Sequence, residues 1–149
     1  MELTIRRMKE KDLECLYLLL SDPRVMKHIE APYTKEKTAQ FLERTGLSSP
    51  PLIYAAEKDG EFIGYVIYHD YDEDSVEIGW ILYPDCWGRG IASALTEKVI
   101  EKASASGKQT VIECSPEQKI TKHIAEKYGF AYEGVSEGCD VFRRRNEKL

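Results

Sequence analysis

Between residues 76 and 105 the spacing of apolar residues changes from a period of two to one of 3.6, inside one short loop that holds Pro84, Gly88 and Gly90. Upstream, Val76, Ile78 and Trp80 alternate with Glu77 and Gly79, as on a strand with one buried face. Pro84 has no N–H to give a ladder and ends the strand. Downstream, Ile91, Leu95, Val99 and Ile100 share one side of a helix that begins inside the loop and stops at Gly107. Strand, glycine loop and helix in that order predict more than a turn. Backbone N–H groups at a helix start have no internal partner, and the helix dipole adds positive potential there. Gly88 and Gly90 let the backbone approach a bulky anion without Cβ interference, so a pyrophosphate is the natural occupant. Two glycines alone also fit a turn with no ligand. A P-loop would need GxxxxGK followed by Ser or Thr, and a dinucleotide fold GxGxxG after the first strand; neither is present.

The remaining segments suit a mixed sheet. Residues 2–7 read as a first strand. Leu13, Leu16, Tyr17 and Leu20 set out an amphipathic helix from Glu10 to about Ser21, which Asp22 and Pro23 break. A second helix starts after Thr34 as N-cap and runs to Arg44, with Gly46 as its stop. Residues 51–58 and 61–69 flank Asp59 and Gly60, a strong hairpin signal. A short strand at 110–114, a helix at 116–128 closed by Gly129, and two short strands around Gly138 complete the chain. Hairpin strands followed by strand, helix, strand and helix indicate a mixed sheet with helices on both faces.

Composition narrows the function classes. The 149 residues suit one domain, 1–149, with no linker or repeat to divide them. A net charge of −5 argues against nucleic acid as a partner, because phosphate binding needs a basic face. No apolar run approaches the ~20 residues of a membrane helix, and the first residues lack a signal-peptide core, so a cytoplasmic protein is expected. Cys15, Cys86, Cys114 and Cys139 form no CxxC pair; free thiols and no metal site are expected.

Trp87, Gly88, Arg89, Gly90, Ile91 and Ala92 resemble the acetyl-CoA signature of the GNAT superfamily of N-acetyltransferases, in which Gln or Arg is followed by x-x-G-x-G/A. Gly90 and Ala92 match, and Trp87 in the first position is similar to the ribosomal-protein N-acetyltransferase branch. Downstream, Glu126, Lys127, Tyr128, Gly129 and Phe130 resemble the family's E-K-x-G-F ending, with Gln118 and Thr121 where it usually has N-x-x-S. The resemblance covers nearly the whole chain. It implies a single-domain α/β fold with a mostly antiparallel mixed sheet of about seven strands and about four helices. It also implies transfer of an acetyl group from acetyl-CoA to a primary amine by direct attack, in a monomer or homodimer. A module that binds acyl-CoA without transfer is the alternative.

Site residues follow from the same resemblance. Trp87 to Ala92 together with Ser93 would hold the pyrophosphate, Gln118 and Thr121 the pantetheine arm, and the strand at Ile81 and Leu82 would pair with that arm like an added strand. The Leu82 N–H would then face the thioester oxygen. Glu113 and Glu77 are the candidate bases, since a carboxylate buried in an apolar strand has a raised pKa. Either could instead face solvent from the polar side of its strand. Family members with a tyrosine acid carry it where this chain has Ala125, so no side-chain acid is assigned. Cys114 reads as a buried strand cysteine, and Tyr128 as packing against the sheet. Trp80, Tyr65 and Tyr68 are candidates for the acceptor cleft or for the core, and Arg143, Arg144 and Arg145 for a CoA phosphate, an acidic partner or a solvated terminal strand.

Overall fold

The computed structural model describes residues 1–145. Seven strands form one sheet: β1 (Leu3–Arg6), β2 (Ile53–Lys58), β3 (Glu61–Asp70), β4 (Ser75–Leu82), β5 (Gln109–Cys114), β6 (Ala131–Ser136) and β7 (Cys139–Arg144). Their order across the sheet is β1-β2-β3-β4-β5-β7-β6. All neighbours are antiparallel except β4 and β5, which run parallel. This is the mixed, mostly antiparallel sheet expected from the sequence. The β2–β3 hairpin turns on Asp59 and Gly60, both at positive φ (51° and 85°), as a type I′ turn requires.

The described residues hold five α-helices rather than four: α1 (Leu13–Leu20), α2 (Pro23–Met26), α3 (Lys35–Phe41), α4 (Ile91–Ala105) and α5 (Lys119–Lys127). Pro23, expected only to end a helix, also begins one. Its missing N–H costs nothing at a first helical position, and the Asp22 carboxylate accepts from the Arg24 N–H at 2.8 Å as the cap. Thr34 caps α3 as expected, accepting from Lys37 N–H at 3.1 Å. Helix α4 starts at Ile91, not at Gly88, because Gly88 and Gly90 sit at φ 72° and 77°, outside helical space. Helix α5 likewise starts three residues later than its sequence pattern suggests, with Gln118 as its N-cap.

Helices cover both faces. On one, α4 and α5 bring Ile91, Leu95, Val99 and Ala125 onto Val76, Ile78, Leu82 and Ile112. On the other, α1, α2 and α3 with the turn that follows α3 bring Leu16, Leu19, Met26 and Leu42 onto Ile53, Ala55 and Tyr65. A fully buried leucine such as Leu16 or Leu95 stabilises the fold by about 1.5–3 kcal/mol. Among the described residues no helix is long and apolar enough to cross a membrane.

Candidate active site

The sheet opens at its one parallel junction. Strand β5 pairs with β4 only from Ser75 to Glu77, opposite Gln109 to Val111, while β4 continues to Leu82. On its other side β4 stays paired with β3 all the way, Asp70 with Val76 through to Gly64 with Leu82. The Tyr83 N–H donates to the Ile63 carbonyl at 2.9 Å, which marks that position as a hydrogen-bonded pair. Such pairs alternate along an antiparallel ladder, so Glu77, Gly79 and Ile81 spend their backbone groups on β3. Trp80 and Leu82 therefore point theirs the other way, beyond the end of the β5 ladder. The N–H groups of Leu82 and Trp80 both face the gap; the resemblance singled out Leu82 alone. The strand period held the signal; which edge would be free was not in it.

Two features fix the mouth of this gap. The indole Nε1 of Trp87 donates to the Leu82 carbonyl at 3.0 Å, so the half-exposed ring is pinned to the end of β4. Gly64 lets β3 approach closely there: a Cβ on it would lie 2.0 Å from the Ile81 carbonyl oxygen. Next to Trp87, the glycine loop leads to the start of α4. Gly90 caps that helix with no side-chain hydrogen bond, and the first helical bond runs from Ala94 N–H to the Gly90 carbonyl at 3.1 Å. The N–H groups of Ile91, Ala92 and Ser93 thus precede the first intrahelical donor. Cβ atoms added at Gly88 or Gly90 would meet no protein atom within 4 Å. Unpaired donors beside an open cradle fit a pyrophosphate, with Arg89 exposed on the loop and Lys127 Nζ 3.4 Å from Ser93 Oγ.

The structure brings Glu77 and Glu113 to one face. Val76 and Ile78 on β4, and Ile112 and Cys114 on β5, pack against α4 and its neighbours, so the residues between them point to the opposite side. Glu77 stands beside its cross-strand partner His69, with Nε2 3.8 Å from Oε1, while His69 Nδ1 lies 2.9 Å from the Asp70 carbonyl. Burial raises the pKa of Glu77; the His69 charge opposes this and the negative charge of Glu113 adds to it. Tyr71 and Cys139 join the group, for burial and the charges of both glutamates push the two up as well. Neither was legible in the sequence, since one lies after β3 and the other opens β7.

Other candidates fall elsewhere. Trp80 and Tyr68 pack on the α4 face and Tyr65 under α1 and α3, so none stands with the carboxylates. Cys114 is buried, and its thiol is pushed up to about 11 by burial and then by the Asp140 charge, which leaves it unreactive at neutral pH. Arg143 is held by Glu133 at 3.0 Å and Asp72 at 3.1 Å, with no charge left over for a phosphate. The Tyr128 hydroxyl, expected only to pack on the sheet, also reaches the Ser93 carbonyl (3.2 Å) and Glu97 (3.1 Å), tying α5 to the first turn of α4. The Gln118 side-chain oxygen accepts from Ser115 N–H at 2.8 Å, and Thr121 stands in the first turn of α5.

The acetyltransferase (GNAT) domain model matches residues 2–131. The chain is 27% identical over 142 residues to the uncharacterized N-acetyltransferase YnaD of Bacillus subtilis, covering 92% of this chain and 84% of that one. It is 30% identical over 132 residues to the uncharacterized N-acetyltransferase p20 of Bacillus licheniformis, covering 82% and 74%. Among solved structures it is similar in fold to the microcin self-immunity acetyltransferase MccE in complex with acetyl-CoA and AMP, with a TM-score of 0.82 at 23% identity over 97% of this chain and 93% of that one.

Proposed function

The chain belongs to the GNAT family of acetyltransferases and is an acetyl-CoA-dependent N-acetyltransferase, and from that premise we propose that it acetylates a primary amine held over the β4–β5 gap, with Glu77 as the base. The observation that carries this is the free edge of β4, which offers the N–H groups of Trp80 and Leu82 directly beside the glycine loop. When bound, acetyl-CoA supplies the activated acetyl group. Ile91, Ala92 and Ser93 hold the pyrophosphate by their backbone N–H groups, with Trp87, Gly88, Arg89 and Gly90 shaping the loop. Ile81 and Leu82 present the strand edge to the arm, and Gln118 and Thr121 bound its other side.

Strand rise divides the work among the donors. Trp80 lies three residues from Glu77, roughly 10 Å, and Leu82 lies five residues away, roughly 17 Å. With Glu77 as base, the Trp80 N–H is the donor placed to polarise the thioester carbonyl, and Leu82 holds the arm further out. A side chain does not span 10 Å, so one water relays the proton from the amine to Glu77. Glu113 keeps the Glu77 carboxylate basic and draws in an acceptor that arrives as an ammonium ion.

The test is acetyl-CoA with a panel of amines, including free polyamines, amino acids and peptide N-termini, followed by thiol release and by product mass. Thiol release matched by mono-acetylated product on at least one amine is the expected result. Tight acetyl-CoA binding with no release above the hydrolysis rate on any amine would make the chain a binding module instead.

A further inference from the structure

A second cavity lies on the far face of the sheet from Glu77, where α4 leaves the first three strands partly uncovered. It measures about 290 Å³. Ile5, Tyr54, Val66 and Tyr68 form its floor, and Lys98 and Lys102 of α4 form its wall. The two tyrosine rings meet edge to face, with centroids 6.4 Å apart and planes at 78°. Lys102 Nζ stands 4.6 Å from both centroids. Arg6 and Arg7 complete the rim, and no carboxylate lines the cavity.

The charge arrangement is the informative part. Arg6 is neutralised by Asp12 (2.9 Å) and Glu57 (3.0 Å). Among the described residues, Arg7, Lys98 and Lys102 have no carboxylate within ion-pair distance. Lys98 and Lys102 stand one helical turn apart, where like charges repel. Glu97 and Glu101, the acids nearest them in sequence, border a neighbouring groove with Met1 and Glu2, which Lys98 also lines from its other side. So a protein of net charge −5 gathers three cations without a carboxylate partner around an aromatic floor, one of them already resting on the rings. That volume is about twice the roughly 150 Å³ that accepts a benzene ring, enough for a ring with an acidic group attached. We propose that this cleft between α4 and strands β1 to β3 binds a planar aromatic anion, its ring on Tyr54 and Tyr68 and its carboxylate or phosphate among Lys98, Lys102 and Arg7. The site is separate from the acetyl-transfer centre and does not depend on it.

Benzoate and phenyl phosphate serve as probes, with benzylamine as the control of opposite charge. Each is titrated into the isotope-labelled full chain, free and saturated with CoA, while backbone amide shifts are followed. The expected result is saturable shifts at Tyr54, Tyr68, Lys98 and Lys102 with a dissociation constant of about 1 mM or below, in both forms. Benzylamine leaves these signals in place. The Lys98→Gln, Lys102→Gln double variant, changed only at exposed positions, loses about tenfold in probe affinity and keeps its affinity for CoA. Three outcomes overturn the proposal: no saturation by about 10 mM probe, equal shifts with benzylamine, or unchanged probe affinity in the double variant. Shifts that vanish in the CoA-saturated protein would assign the probes to the acetyl-transfer site and overturn it equally.

Discussion

Replacing Gly64 by alanine tests whether the close approach of β3 positions the end of β4. Gly64 has φ 153°, and a Cβ there would lie 2.0 Å from the Ile81 carbonyl oxygen and 2.9 Å from the Leu82 Cα. Both are backbone atoms, so no rotamer change relieves the clash; β4 must retreat by roughly 1.4 Å to restore van der Waals distance. Overpacking of this kind costs about 1–3 kcal/mol, and the strained φ adds about 1–3 kcal/mol. For a chain of this length the sum lowers the melting temperature by roughly 6–19 °C. Gly60→Ala is the matched control, since its φ is also positive (85°) but its Cβ would meet nothing within 4 Å. It should lose only the conformational part, about 1–2 kcal/mol. Because the retreat moves Ile81 and Leu82, Gly64→Ala should also lower kcat/KM by up to ~10²-fold, the order expected for a 1 Å misplacement. Thermal melts and acetyl-transfer kinetics on both variants decide the matter. If Gly64→Ala melts and turns over like Gly60→Ala, the approach of β3 does not position the site.

Glu77→Gln should lower turnover about 10²-fold while leaving CoA affinity intact. Its stability change runs the other way. A carboxyl whose folded pKa is raised contributes stability below its unfolded pKa and loses it as pH rises through the folded value, so Glu77→Gln should gain melting temperature relative to the parent as pH rises from 4 to 7; an equal difference at both ends would contradict the buried environment. Gly90→Val should abolish measurable CoA binding by calorimetry, because φ 77° excludes a β-branched residue and the side chain enters the cradle. Trp87→Phe removes the donor to the Leu82 carbonyl and should raise KM for acetyl-CoA several-fold with kcat little changed, whereas an unaltered KM would make that hydrogen bond incidental. With Ala125 in place of a phenol, the pH–rate profile should rise through one apparent pKa and show no falling limb near pH ~10.

Features governed by a few consecutive residues could be read from the sequence. The Asp59–Gly60 turn, the Thr34 cap, the end of β4 before Pro84 and the glycines ahead of α4 all follow from local dihedral and hydrogen-bonding rules. Pro23 misled because a proline both ends one helix and begins the next, and only the packing of Val25 and Met26 into the core selects the second role. The alternation through Val76, Ile78 and Trp80 also showed that Glu77 lies off the face those residues share. It could not show what stands beside Glu77. His69 and Glu113 reach it from two other strands, and their placement depends on the register of β3 with β4 and of β4 with β5. The gap itself has no local code. It arises because the parallel ladder ends after Glu77 and Val111 while each strand continues with other partners, β4 along β3 and β5 along β7. Likewise, Trp87 reaches Leu82 only because the loop folds back on the strand that feeds it. Dihedral preference and period act over a few residues and are written in the chain; strand register and the sharing of an edge are settled by contacts between distant segments, which exist only once the sheet has formed.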